Sequence, residues 1–309
     1  MTFSVSNAPH ARHQDTTQRI MLDVLIALAP TAIAGCFLFG WNAARVIALS
    51  VVFCVGLEYL WQKLMHKPVR IADLSAAVTG VIFALNMPST APWWMLLIGC
   101  AVAILLVKQL FGGIGSNFVN PALAARAVLL SSWPGLMGGT AFHVPFDTVS
   151  SATPLVSDNA KPMLDLFLGR IPGTIGEVCK VAILLGLAYL LIRRTIMPVV
   201  PVVMVGSYMV FAALFGQNAI EGVLTGGLLF GAVFMATDYV TSPMTLGGNV
   251  VYALGAGLMV ALIRRFGSTP EGVTYAILLM NIVTPLLDRG FAPRIYGTKK
   301  EKKEAKTNA

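Results

Sequence analysis

Charge is what this sequence has least of. Only 12% of its 309 residues are Asp, Glu, Lys or Arg, against roughly 25% in soluble globular domains, and this excludes an ordinary soluble protein. Histidine is scarce too. His10, His13, His66 and His143 all stand in polar stretches, so no pair on facing apolar helices is available to hold a haem. Cysteine is limited to Cys36, Cys54, Cys100 and Cys179, each inside or beside an apolar run and none in a CxxC pair. They read as small buried hydrophobes rather than cluster, zinc or dithiol ligands. Walker, HExxH and strand-associated GxGxxG motifs are missing. The basic residues are not gathered with aromatics on one surface, so nucleic-acid binding is not expected.

What is present is apolar length. Hydrophobic residues make up 56% of the chain, and the mean hydropathy of +0.76 belongs to a polytopic membrane protein. A bilayer-spanning helix takes about 20 apolar residues. Dividing the chain at charges and at Pro and Gly clusters gives ten candidates: 20–40, 44–62, 71–87, 91–111, 117–133, 173–192, 196–215, 219–236, 248–266 and 271–288. The expected fold class is therefore an all-α integral membrane protein of about ten transmembrane helices. The first candidate ends without a small-residue cleavage site and reads as a retained helix, not a signal peptide.

The formal charge of +8 is distributed as a topology signal, because cytoplasmic loops are enriched in Lys and Arg. With the N-terminus inside, 15 of the 22 basic residues fall on the inner side. They are Arg12, Arg19, Lys63, Lys67, Arg70, Lys108, Arg193, Arg194, Arg289, Arg294 and the tail residues Lys299, Lys300, Lys302, Lys303 and Lys306. Arg264 and Arg265 break the pattern. Both termini are expected in the cytoplasm, and the one long polar interruption, 131–172, on the outer face. The chain then divides into residues 1–133 (tail and first five helices), 134–172 (outer loop), 173–290 (second five helices) and 291–309 (basic tail).

A weak internal repeat runs through this division. In the first half TGVIFALNMPSTAP begins at Thr79 and is followed by Lys108, Asn120-Pro121 and Arg126. In the second, TGGLLFGAVFMATDYVTSP begins at Thr225 and is followed by Arg264, Thr284-Pro285 and Arg289. The matching segments are the third and eighth spans, an odd separation that reverses orientation. A 5+5 inverted repeat with interrupted helices is the expectation, an architecture that also suits a channel or a secondary transporter for a small solute. Ionisable residues inside or at the ends of spans are the candidates for ion handling: Asp23, Glu58, Arg126, Glu221 and Asp238.

The remaining feature is the loop sequence FDTVSSATPLV at 146–156. Thr153 precedes Pro154, which pushes it toward extended backbone, with Ser150, Ser151 and Ala152 as slim neighbours. A turn is the plain reading, and presentation of a hydroxyl to another enzyme is the sharper one. The run Asp147 to Thr153 resembles the D-x-x-[ST]-[GS]-A-T sequence at which a flavin transferase attaches FMN. Together with SNAPHARHQDTTQRIMLDVLIALAP at 6–30, GGIGSNFVNPALAAR at 112–126 and SATPL at 151–155, it resembles the RnfD family, membrane components of Rnf electron-transport complexes, over nearly the whole chain. More distantly, the chain is similar to NqrB of the sodium-translocating NADH:quinone reductase, which is longer at its N-terminus. Ser151 stands where many relatives carry Gly, one small residue for another.

The resemblance implies FMN esterified through its phosphate to Thr153, FAD being the donor, with Asp147, Ser150, Ser151 and Ala152 as the flavinylation motif. Thr153 is then an anchor; no catalytic residue and no metal ligand is implied. His143, Phe142 and Phe146 could contact the flavin ring or simply pack. The implied function is that of a membrane subunit of an ion-translocating ferredoxin:NAD oxidoreductase in a bacterial cytoplasmic membrane, moving Na⁺ or H⁺. The implied partners are iron–sulfur and flavin subunits and the flavin transferase. With no haem ligands and no cluster cysteines, the chain offers no relay of its own across roughly 30 Å of hydrocarbon, so other subunits supply the electron path to the outer face. The same subunit could instead serve a complex that reduces a redox-sensing regulator.

Overall fold

The computed structural model describes residues 16–138, 142, 163–169, 171–267 and 271–292. Among the described residues every regular element is a helix. The first two are α1 (Thr17–Phe39) and α2 (Trp41–Leu64). Thr16 caps α1 by accepting from the Arg19 N–H at 3.3 Å, the usual role of a threonine at that position. A single residue, Gly40, reverses the chain between them at φ 65°, a left-handed conformation open to glycine at little cost. With α12 (Leu246–Phe266), these are the helices among the described residues that are long and apolar enough to cross a membrane.

Between them lie shorter pieces. In the first half these are α3 (Ser75–Leu85), α4 (Trp93–Ala101) and α5 (Pro121–Ser132), followed by the short α6 (Pro134–Met137) and α7 (Met163–Leu168). Beyond Ala101, α4 continues as a wide π-helical stretch over Val102–Gln109. The second half contains α8 (Lys180–Ile192), α9 (Val199–Leu214), α10 (Ala219–Leu224) and α11 (Leu228–Phe230), the last continuing as π-helix to Met235, and then α12 and α13 (Val273–Gly290). At 1.5 Å per residue, the 11-residue α3 and 12-residue α5 each reach only about half of a bilayer's apolar thickness.

Each of the ten expected windows contains helix, with two departures. The window at 173–192 is helical only from Lys180, because Pro172, Gly173 and Gly176 precede it and favour irregular backbone. The window at 219–236 breaks between Leu224 and Leu228, where Gly226 adopts φ 66°.

The two halves pack in the same order. α1 lies antiparallel to α8: Asp23 meets Arg193, Gly186 faces Ala27 and Gly35 faces Ile175. α2 runs parallel to α4, with Ser50 opposite Cys100 and Glu58 opposite Lys108. α9 runs parallel to α12 in the same manner, with Ser207 opposite Ala253 and Phe215 opposite Phe266. The approaches are close because glycines permit them. A Cβ on Gly80 would stand 2.9 Å from the Val51 Cα, and one on Gly257 would stand 2.6 Å from the Met204 carbonyl.

The distribution of polarity is the reverse of a soluble protein's. Phe37, Trp41 and Val52 are exposed on long helices, while Glu58, Lys108, Arg126, Glu177 and Lys180 are buried. Arg264, an exception to the basic-residue pattern, is accounted for here. Its guanidinium turns inward, donating to Tyr208 Oη at 3.0 Å, the Gly222 carbonyl at 2.5 Å and the Thr225 carbonyl at 3.3 Å. It serves as a helix-joining group and not as a loop charge. Arg265 has no comparable explanation.

Candidate functional site

The site forms where the interrupted helices meet. α3 stops at Leu85, and its last carbonyls would be orphaned in lipid, where each unpaired group costs several kcal/mol. The stretch 171–178, which leads into α8, supplies the missing donors: Gly176 N–H to the Leu85 carbonyl at 2.7 Å and Ile175 N–H to the Met87 carbonyl at 3.2 Å. Gly176 has to be small there, since a Cβ would stand 2.6 Å from the Leu85 Cβ. From the other side α5 begins with Asn120, whose Oδ1 accepts from the Ala122 and Leu123 N–H groups at 3.1 and 3.3 Å. Asn120 Nδ2 donates to the Met235 carbonyl and Asn86 Nδ2 to Met235 Sδ, both at 3.4 Å. The Asn281 amide is 2.8 Å from Tyr252 Oη. In the orientation that matches donors to acceptors, its oxygen accepts from the Asn120 N–H at 3.2 Å.

Arg126 occupies the centre. It is 2% exposed. Its Nη1 donates to the Asn86 carbonyl and Oδ1, each at 2.8 Å, and to Glu177 Oε1 at 3.1 Å. Its Nη2 donates to Glu271 Oε2 at 2.5 Å. One guanidinium thus holds two carboxylates, while the buried Asp23 and Glu58 each pair with a single cation, Arg193 and Lys108. Beside this group Lys180 is completely buried. Its ammonium donates to the main-chain carbonyls of Glu177 and Gly226, and no carboxylate among the described residues is in ion-pair contact with it.

Two spaces approach this centre. One is a cavity of about 100 Å³ bordered by Met21, Ser75, Thr79, Lys108, Asn117, Asn120 and Asp238. The other is a void of about 10 Å³ bordered by Asn86, Arg126, Glu177, Gly227, Met235 and Glu271, just enough for one water. Asn120 borders the first, Asn86 and Met235 the second, and the contacts among the three close the gap between them. A further polar cavity of about 400 Å³ lies at the Glu58 end, bordered by Gln62, Arg70, Asp73 and Gln109. There Glu58 accepts from Lys108 at 2.8 Å, Gln109 at 2.8 Å and Gln62 at 3.2 Å, and Lys108 also donates to Ser75 Oγ at 2.6 Å.

Of the charged residues singled out from sequence, Asp23, Glu58 and Arg126 all form ion pairs. Glu221 stays in the first turn of α10, accepting from Asn218 Nδ2 at 3.1 Å. Asp238 accepts from Thr241 Oγ1 at 3.2 Å and borders the larger cavity at Asn120. Sequence reasoning missed Glu177, Lys180 and Glu271 as site residues. All three stand in the opening turns of expected spans, where a charge reads as a span boundary; Pro172 and Gly176 were the available signal that the chain enters the protein there without helix. Phe142 is buried at 2% exposure. Asp147, Ser150, Ser151, Ala152, Thr153, His143 and Phe146 lie outside the described residues. Among the described residues no three His, Cys, Asp or Glu side chains are placed to hold a metal ion.

Broken helices capped from within the protein, apolar outer faces and a buried cluster of charges define a helical membrane protein with a polar centre. The model of the NQR2, RnfD, RnfE family matches residues 4–297, and the chain belongs to that family. It is 45% identical to the D component of the Na⁺-translocating ferredoxin:NAD⁺ oxidoreductase complex of Acetobacterium woodii, over 99% of each chain. It is 38% identical to the D component of the proton-translocating ferredoxin:NAD⁺ oxidoreductase complex of Clostridium ljungdahlii, over 96% of this chain and 97% of the relative. A third relative, the D component of the ion-translocating oxidoreductase complex of Stutzerimonas stutzeri, is 36% identical over 92% of this chain and 93% of its own.

Proposed function

We propose that this chain is the RnfD component of an Rnf-type ion-translocating ferredoxin:NAD oxidoreductase, that it carries FMN in phosphoester linkage on Thr153, and that its centre forms part of a path for Na⁺ or H⁺. The observation that carries the flavin is the run Asp147 to Thr153 within a chain of this family. The donor set suits the group, since a threonine side chain supplies an alcohol that a phosphoryl group can esterify, and Pro154 after it disfavours helix at that position. When bound, FMN supplies the electron-carrying chemistry; the chain itself supplies the anchor and its position. In sequence Thr153 precedes α7 and then residues 171–178, whose amides bond the carbonyls of Leu85 and Met87.

Support for an ion path comes from the polar centre. A cavity of about 100 Å³ reaches it at Asn120 and a void of about 10 Å³ lies against Arg126, and the helices that would otherwise seal it are broken at Asn86 and at Gly226. The matching order of contacts in the two halves favours a 5+5 inverted repeat, which would place both breaks near the middle of the bilayer. The other subunits of such a complex are the partners, and the flavin transferase is the modifying enzyme.

The test is a denaturing gel of the chain coexpressed with its flavin transferase. An ultraviolet-fluorescent band that disappears in Thr153→Ala is the expected result. A non-fluorescent wild-type chain of unmodified mass would overturn the flavin assignment. It would leave the broken helices to be read as those of a channel or small-solute transporter.

A further inference from the structure

Glu177 faces two cations and is bonded through its side chain to only one of them. Its carboxylate accepts from Arg126 at 3.1 Å, while Glu271 holds the same guanidinium at 2.5 Å. One turn further on, the Lys180 ammonium donates to Glu177's own carbonyl and to that of Gly226. Removing one partner of a buried ion pair ordinarily leaves an uncompensated buried charge, which is strongly destabilising. Here the penalty is avoided. If the carboxylate leaves Arg126 for Lys180, Arg126 keeps Glu271 and Lys180 gains the counter-charge it lacks.

The segment that carries Glu177 is suited to two positions. Residues 171–178 are irregular backbone containing Pro172, Gly173 and Gly176. They bond to the last residue of α3 and to Met87 just beyond it through two main-chain hydrogen bonds and press on the second break, since a Cβ on Gly227 would stand 2.5 Å from Glu177 Oε1. The closed arrangement also leaves buried polar atoms without partners, namely Thr174 Oγ1 and Arg126 Nε. Each such atom has lost its water without gaining a hydrogen bond, which disfavours this arrangement. The charged groups facing Glu177 are Arg126 on α5, Lys180 on α8, Arg264 on α12 and Glu271 before α13; Cys179 is the other titratable neighbour on its own segment.

We propose that Glu177 is the gating residue of the ion path. Held on Arg126 it shuts the void beside Asn86 and Met235, and transferred to Lys180 it opens that void. This rests on the ion-path reading above, but not on the flavin.

The test uses the whole complex in inverted membrane vesicles, with assembly checked on a native gel. Passive ²²Na⁺ and proton leak is measured without an electron donor, and ion uptake per NADH with one. Glu177→Gln, which removes the bolt, is expected to raise passive leak of the transported ion severalfold, and Glu177→Asp, which keeps the charge, to leak less. Lys180→Gln, which keeps donors for the two carbonyls but offers Glu177 no charge, is expected to stay as tight as wild type and to lose most uptake per NADH. The opposite signs separate a gate from a structural support. A tight Glu177→Gln complex, or leak in both variants, overturns the proposal. Should neither assemble, Thr174→Cys decides: it is expected to react with a maleimide faster during turnover than at rest, and equal rates overturn the gate. Wild-type-like leak in Glu177→Gln alongside a Thr153-dependent fluorescent band would sink the gate and leave the flavin reading standing. A leaky Glu177→Gln and a tight, uptake-deficient Lys180→Gln without the band would uphold the gate and sink the flavin reading.

Discussion

At the scale of single residues, the protein's interior is organised by a few charges, each with its partner far away in sequence. Lys108 and Glu58 are 50 positions apart and both nearly fully buried. Lys108→Met should therefore strand Glu58 and destabilise the fold by about 3–5 kcal/mol. The measurement is thermal unfolding in detergent. The double variant Glu58→Gln with Lys108→Met should regain a large part of the loss, and a single variant as stable as wild type would contradict the pairing. Asp23, Glu58 and Arg126 were legible in the sequence because a charge inside an apolar run announces itself. Their partners were not, because Arg193, Lys108, Glu177 and Glu271 come from other elements, and nothing local encodes a contact 51 or 145 positions distant. Arg264 shows the limit from the other side. Counted as a loop charge it contradicts the topology, and only the carbonyls of Gly222 and Thr225 turned toward it show that it is an internal ligand.

At the scale of elements, close approach is set by glycine. Gly80→Ala places a methyl 2.9 Å from the Val51 Cα and 3.0 Å from the Ser50 carbonyl, backbone atoms that cannot step aside. Overpacking of that kind costs about 1–3 kcal/mol. The expected outcome is a lower unfolding temperature, whereas Gly56→Ala, where nothing lies within 4 Å, should be neutral or slightly stabilising. The helices themselves were readable from hydropathy, and so were the stops at Asn86-Met87-Pro88 and near Thr237. Hydropathy does not report where an apolar stretch ceases to be helical. That is why residues 173–179, hydrophobic enough to extend α8, turn out to be the piece that caps α3. The wide turns at Val102–Gln109 and Gly231–Met235 were likewise silent in composition, since packing partners decide them.

At the scale of the whole molecule, the orientation remains a prediction with its own measurement. In a variant without Cys36, Cys54, Cys100 and Cys179, single cysteines placed at Thr140 and Lys303 are labelled with an impermeant reagent on intact cells. The expected pattern is labelling at 140 and none at 303, and the reverse would turn the topology over. The class and family of the protein were open to reading from the chain alone, through its scarcity of charge and the motifs around Asn120 and Thr153. The proposed flavin anchor rests on resemblance alone, because one threonine before a proline has no physical signature of its own. The sealing of α3 by residues 171–178 has a bearing on biogenesis. The ribosome releases Leu85 and Met87 about ninety residues before it releases the amides that cover their oxygens. The amino-terminal half therefore carries uncovered main-chain oxygens until Ile175 and Gly176 have been made and docked, and maturation has an obligatory long-range closing step.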